Sequence, residues 1–309
     1  MTQLYDYWQQ QLQISKRLPL EITLVEQTSL SDERLTTYQV TYTSLGQVKI
    51  TGWLIIPANQ ETYPLVIDYL GYMTQLQNPM EYQSWIDLGI GVLAIDMRGQ
   101  GGMTPDIMAY VTTQERQLLA RGCTTPDDFY LRRLYWDALR LVDVAFSLPQ
   151  VDQQAVFIHG TSQGGGLAVF VASLTPHPIR YTFANVPSHS NIENRVVTGT
   201  GSYREIKQFI EKNPMLLNNV LETLNYFDTQ FVAQYLTTPI LVSVGVADPI
   251  CPKEDFYPTY GAITAPKELI CYPETGHGGG GQIHLTKILM MCERILGGDL
   301  HDGTENSNV

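Results

Sequence analysis

Between residues 20 and 57 apolar and polar positions alternate. Tyr38, Val40 and Tyr42 take every second place, Ser44-Leu45-Gly46 supplies a turn, and Val48-Lys49-Ile50 and Trp53-Leu54-Ile55-Ile56 follow. Successive side chains on a strand point to opposite faces, so this stretch predicts β-structure. After residue 60 the texture changes to short continuous apolar runs at 64–67, 91–95, 155–158, 239–244 and 268–272. Runs of that length, rich in branched residues and closed by glycine or aspartate, predict strands buried on both faces of a parallel sheet. Between two of them, Leu131, Leu134, Ala138, Leu141 and Ala145 recur at steps of three and four, which predicts a helix with one apolar face. Alternating strands and helices imply right-handed crossovers and a doubly wound, mostly parallel α/β sheet. Residues 101–130 and 187–236 lack the strand signal and read as helical and loop insertions over the sheet's carboxyl edge, where such folds keep their ligand crevice. The expectation is one α/β domain over residues 1–298 and a frayed polar tail over 299–309, with no internal repeat.

One segment carries the chemistry. FIHGTSQGGGLAVF, residues 157–170, sets a serine among glycines between two apolar runs. A phosphate-binding loop would need a lysine after its glycines, and a dinucleotide turn would need G-x-G-x-x-G; neither fits. A plain glycine turn fits but uses no particular residue. Gly160-Thr161-Ser162-Gln163-Gly164 is G-x-S-x-G after a predicted strand and before an apolar helix, the context of a nucleophile elbow. There the serine takes a strained backbone conformation, and Gly160 and Gly164 lack side chains because strand and helix nearly collide.

A serine hydroxyl is a weak nucleophile until a base takes its proton, so an acid and a histidine are expected later in the chain. Asp248 follows PILVSVGVA and His277 follows ELICYPETG, each at a strand end. His159 and His177 flank the elbow unit, His189 begins an insertion, His284 falls within a helix and His301 lies in the tail. Asp228 and Asp255 are fallback acids. The Gln163 backbone N–H at the start of a helix is the first expected oxyanion donor, and the Tyr72 N–H in Leu70-Gly71-Tyr72 is the second. The Tyr72 ring either walls the acyl pocket or only packs. His277-Gly278-Gly279-Gly280-Gly281 imitates the HGGG oxyanion motif of some esterases, but it stands after the nucleophile, so its glycines are read as freedom for the histidine loop. Arg98, in Arg98-Gly99-Gln100, is expected to tie loops together near the elbow.

The remaining composition narrows the partners. A net charge of −12 with no basic cluster argues against nucleic acid and anionic membrane surfaces, and leaves neutral or cationic small molecules. No apolar stretch reaches membrane-span length, and the amino-terminal residues show no secretory pattern. Cys123, Cys251, Cys271 and Cys292 have no metal-ligand spacing, and His277 and His284 stand seven apart without H-E-x-x-H, so no metal or other cofactor is expected. A reducing cytoplasm fits these features.

Taken together, the residues resemble the acetyl xylan esterase/cephalosporin C deacetylase group of carbohydrate esterases. The resemblance covers about residues 20–298 and rests on Arg98-Gly99-Gln100 with Gly101-Gly102, on Gly160-x-Ser162-Gln163-Gly164-Gly165-Gly166, on Val244-Gly245-x-x-Asp248-x-x-Cys251-Pro252, and on Tyr272-Pro273-x-x-Gly276-His277. It implies an α/β-hydrolase fold and deacetylation of small substrates such as acetylated xylo-oligosaccharides, other acetylated sugars and cephalosporin C. It implies Ser162 as nucleophile, His277 as base, Asp248 as acid, and Tyr72 and Gln163 as oxyanion donors. It further implies a cytoplasmic homo-oligomer, often a hexameric ring. The sequence departs from the family pattern at Gly278, where glutamate is usual, at Lys253, where a second proline is common, and in a shorter amino terminus.

Overall fold

The alternating stretch after residue 20 forms β1 (Thr23–Glu26), β2 (Leu35–Thr43) and β3 (Lys49–Pro57), paired antiparallel in sequence. The continuous apolar runs form β4 (Tyr63–Tyr69), β5 (Gly91–Ile95), β6 (Val151–Thr161), β8 (Ile240–Gly245) and β9 (Lys267–Tyr272), and β7 (Tyr181–Asn185) lies between β6 and β8. The computed structural model describes residues 2–58, 60–76, 78–112 and 117–298; the tail expected to fray, with His301, lies outside them.

The nine strands make one sheet in the order β1-β2-β3-β5-β4-β6-β7-β8-β9. Pairings from β1 to the β3/β5 contact are antiparallel, and those from β5 through β9 are parallel. Every residue of β5 and β8 is buried, as expected of strands covered on both faces. The run at 268–272 behaves otherwise: β9 is an edge strand bonded only to β8, and none of its residues is fully buried.

Helices cover both faces: α1 (Thr2–Lys16), α2 (Gln83–Ile86), α3 (Tyr130–Ser147), α4 (Gln163–Leu174), α5 (Ile192–Thr198), α6 (Arg204–Lys212), α7 (Leu217–Asn225), α8 (Lys253–Ala262) and α9 (Gly281–Leu296). The 187–236 insertion contains α5 to α7, and neither insertion contains a strand among the described residues. None of the helices is long and apolar enough to cross a membrane.

α3 departs from the expected single apolar face. It is buried nearly all round, including Arg133, Asp137 and Arg140. Its polar side chains survive burial because each is bonded. Arg140 donates to the Thr43, Ser15, Leu18 and Pro19 carbonyls and to Ser15 Oγ, which fastens α1 to the sheet. α1 itself docks through Trp8, fully buried against Tyr135, Phe170 and Phe227, with its indole N–H on the Tyr226 carbonyl.

Candidate active site

Chain reversal between β6 and α4 places Ser162 at φ 61°, ψ −116°, an unfavourable conformation for a residue with a side chain. The neighbouring glycines permit the turn through close approach. A Cβ on Gly160 would sit 2.2 Å from the Gly164 carbonyl oxygen, and one on Gly164 would sit 1.7 Å from that of Tyr69. Gly165 and Gly166 are equally constrained, at 2.6 Å from the Asn185 oxygen and 2.5 Å from the Ser188 oxygen. The two glycines beyond the motif therefore let α4 lie directly against the loops that follow β7.

Loops after β8 and β9 bring the other two groups to the serine. His277 Nε2 lies 2.9 Å from Ser162 Oγ, and its Nδ1 lies 2.8 Å from Asp248 Oδ2. The second Asp248 oxygen accepts the backbone N–H groups of Ile250 and Cys251 at 2.8 and 3.0 Å. Burial alone would raise the Asp248 pKa; the His277 bond and these two N–H groups outweigh it and hold the carboxyl below its usual range. The Asp248 bond and then the Cys251 thiol push His277 up to about 9 against its own burial.

Tyr72 and Gln163 line the same cavity of about 710 Å³ as Ser162 and His277. Among the described residues no group accepts from either backbone N–H outside a helix. The Arg98-Gly99-Gln100 turn braces both positions. Gln100 Oε1 accepts the Met73 N–H at 2.7 Å, and its Nε2 donates to Gln163 Oε1 and to the Tyr130 hydroxyl at 2.9 Å each. Arg98 does not line the cavity; it is fully buried and gives Asp137 two bonds of 2.6 Å. Gly99 stands at φ 72° and is required there by conformation.

The sequence profile of the acetyl xylan esterase (AXE1) family matches residues 2–294. The chain belongs to the acetyl xylan esterase family. It is similar over 94% of its length to the acetyl esterase Axe7A of Xylanibacter ruminicola, at 25% identity, and spans 66% of that relative. The solved acetyl xylan esterase from Paenibacillus sp. R4 superposes with a TM-score of 0.90 at 28% identity, covering 95% of this chain and 94% of that one. Acetyl xylan esterase 1 from Thermoanaerobacterium sp. JW/SL YS485 gives 0.87 at 25% identity, with 94% and 93% covered. An acylaminoacyl peptidase from Pyrococcus horikoshii, at TM-score 0.63 and 15% identity, covers 89% of this chain and 43% of its own and shares the fold alone. These similarities make the sheet an α/β-hydrolase fold and the chain a member of a carboxylic ester hydrolase family.

Other acetyl xylan esterase candidates named from the sequence fall outside the Ser162 contact. Asp228 accepts the first N–H groups of α5, and Asp255 accepts the Asn191 and Asn194 amides. His177 pairs with Asp143, His189 with the Tyr203 hydroxyl, and His284 with the Tyr272 hydroxyl. His159 belongs to the cavity wall, where its Nδ1 lies 2.6 Å from Asp68 Oδ1 and the Tyr82 hydroxyl donates to Asp68 Oδ2. Sequence spacing could not reveal this His–Asp pair in the cavity wall, because β4 and β6 become neighbours only in the sheet.

The Tyr72 ring both lines the cavity and reaches beyond it. Its hydroxyl donates to Glu205 Oε1 on α6 at 2.8 Å, while Glu205 Oε2 accepts the Leu119 N–H. Among the described residues, the one close His/Cys/carboxylate group is Asp248, Cys251 and His277, with ligand atoms within 4.8 Å of one another. The aspartate oxygens there are already bonded, and the Arg195 guanidinium lies 3.6 Å from Cys251 Sγ, where it would repel a cation.

Gly278 has a φ outside the left-handed region, and a Cβ there would meet nothing within 4 Å. Gly278→Ala is therefore expected to stabilise the fold by about 0.4–1 kcal/mol through the unfolded chain's entropy, read as a higher urea midpoint at unchanged slope.

Proposed function

We propose that this chain is a serine esterase that removes acetyl groups from small substrates, namely acetylated xylo-oligosaccharides, other acetylated sugars or cephalosporin C, through an acetyl-enzyme on Ser162. The observation that carries this reading is the unbroken Asp248–His277–Ser162 hydrogen-bond chain, whose histidine and serine line the cavity. Ser162 Oγ attacks the acetyl carbonyl while His277 Nε2 takes its proton, and Asp248 fixes the tautomer with the proton on Nδ1. The developing oxyanion accepts from the Tyr72 and Gln163 N–H groups, each worth about 3 kcal/mol in the transition state. His277 returns the proton to the departing alcohol. Water, deprotonated by the same imidazole, then attacks the acetyl-enzyme, and acetate leaves as Ser162 regains its proton.

Acyl specificity tests the reading. Among chromogenic acetyl, butyryl and octanoyl esters and an aminoacyl amide, the acetyl ester is expected to give the highest kcat/KM. A preference for octanoyl or for the amide would turn the assignment to thioesterase-like or peptidase chemistry on the same fold.

The pH profile follows from the base. Only neutral His277 can accept the serine proton, so kcat/KM is expected to rise with pH through a midpoint above 6.5, toward the value of about 9. Cys251→Ala removes one of the groups that raise the imidazole pKa and is expected to move that midpoint down. An unchanged midpoint would show that the thiol does not act on His277.

A further inference from the structure

The cavity wall contains a cation that the proposed hydrolysis does not use. Arg195, on α5, is 2% exposed and lines the cavity together with Ser162, His277 and Ser188. Its Nη1 donates to Ser188 Oγ and its Nη2 to the Ile250 carbonyl, both at 2.6 Å, and Nη2 also lies 3.6 Å from Cys251 Sγ. Its guanidinium stands 4.7 Å from the Tyr203 ring centroid. Among the described residues no carboxylate pairs with it, and its Nε has no partner.

The other deeply buried arginines are treated differently. Arg98 meets Asp137 face to face, and Arg133 lies near Asp106 and Asp128. Arg140 has no carboxylate contact, but five hydrogen bonds, four of them to carbonyl oxygens, absorb its donors. Arg195 has neither solution. A buried guanidinium that lacks both a counter-charge and a full set of acceptors is costly to keep. The cost has a purpose if an anion from solution completes it, and a guanidinium edge suits a carboxylate.

We infer that Arg195 determines substrate choice, favouring acetyl esters whose alcohol portion carries a carboxylate, as in an acetylated uronic acid. The inference rests on the esterase reading and adds to it a charge on the leaving group. It also qualifies what the net charge of −12 suggests about partners. An acidic surface repels anions at long range, yet screening confines that repulsion, and one unpaired cation beside the serine reverses it at contact distance.

The test compares a matched pair, an O-acetylated methyl glucoside and the corresponding methyl glucuronide, which differ in the carboxylate at C6. The wild-type chain is expected to show at least a tenfold higher kcat/KM for the glucuronide, carried by KM and shrinking as salt is added. Arg195→Gln is expected to bring the ratio of the two substrates close to one, whatever its absolute rate. Equal wild-type values for the pair, or a ratio unmoved by Arg195→Gln, would overturn the proposal. If Arg195→Gln does not fold, Arg195→Lys keeps the charge but loses the planar fork, and an intermediate ratio is expected. Calorimetric titration of the wild-type chain with unacetylated methyl glucuronide and methyl glucoside reads the preference without turnover. Equal affinities there would also overturn it. Failure to release acetate from either ester would break the esterase reading, while the binding ratio would still judge Arg195.

Discussion

Ser162→Ala is expected to lower kcat for an acetate ester by about 10⁴–10⁶-fold, because attack, proton transfer and the acyl intermediate all depend on Oγ. The fold should survive. The turn is held by backbone bonds, with the Ser162 N–H on the Asn185 carbonyl and the Gly166 and Ser188 N–H groups on the Ser162 carbonyl, none of which involves the hydroxyl. Circular dichroism and the thermal midpoint should match the parent, and the remaining rate should reflect binding and the oxyanion donors alone. Activity within tenfold of the parent in a folded Ser162→Ala protein would remove Ser162 from the mechanism. Labelling by an active-serine phosphonate should disappear in the same variant, and failure of the parent to label would favour a non-catalytic binding protein on this scaffold.

Asp137→Ala is expected to have the largest effect on stability, about 3–5 kcal/mol. Arg98 and Asp137 are both fully inaccessible, and deleting the carboxylate strands a guanidinium in the interior with its best acceptors gone. Urea unfolding would show a large fall in midpoint. Replacing Arg98 and Asp137 together with Met and Leu should recover much of the loss, because the remaining charge has then been removed as well. A fall below about 1 kcal/mol in Asp137→Ala would mean that water or rearranged carbonyls reach Arg98. Since the Tyr130 hydroxyl donates to the Arg98 carbonyl and accepts from Gln100, the rate should fall along with the stability.

Much of this was readable in the chain. The glycine pattern around Ser162 reports a steric fact, the 1.7 Å and 2.2 Å approaches that forbid any Cβ, so the elbow could be placed without coordinates. Asp248 and His277 could be placed because short apolar runs end visibly and each group stands a few residues past such an end, although only β8 of the two strands is buried. Other features depend on tertiary partners and leave no local trace. α1 carries ordinary polar residues between its aromatics, and Trp8 announces nothing until Tyr135, Phe170 and Phe227 surround it. β7 reads Tyr181-Thr182-Phe183-Ala184-Asn185 and lacks the continuous apolar run that marks the other parallel strands, and the edge position of β9 is a property of sheet order. In sequence Arg195 looks like any surface arginine of a short helix; its burial, its place in the cavity wall and its unpartnered Nε exist only in the folded chain.

The Tyr72–Glu205 bond has a bearing on how this scaffold can change. Glu205 sits on the insertion that roofs the cavity, and Tyr72 carries an oxyanion donor on its own backbone. Because Glu205 also holds Leu119 of the other insertion, one carboxylate couples three separate segments. A lineage selecting for bulkier substrates would ordinarily remodel its roof and leave its catalytic floor alone. Here the two are fastened together, so a wider entrance comes with a looser oxyanion donor, and substrate range and turnover should trade against each other until a second contact frees Tyr72 from α6.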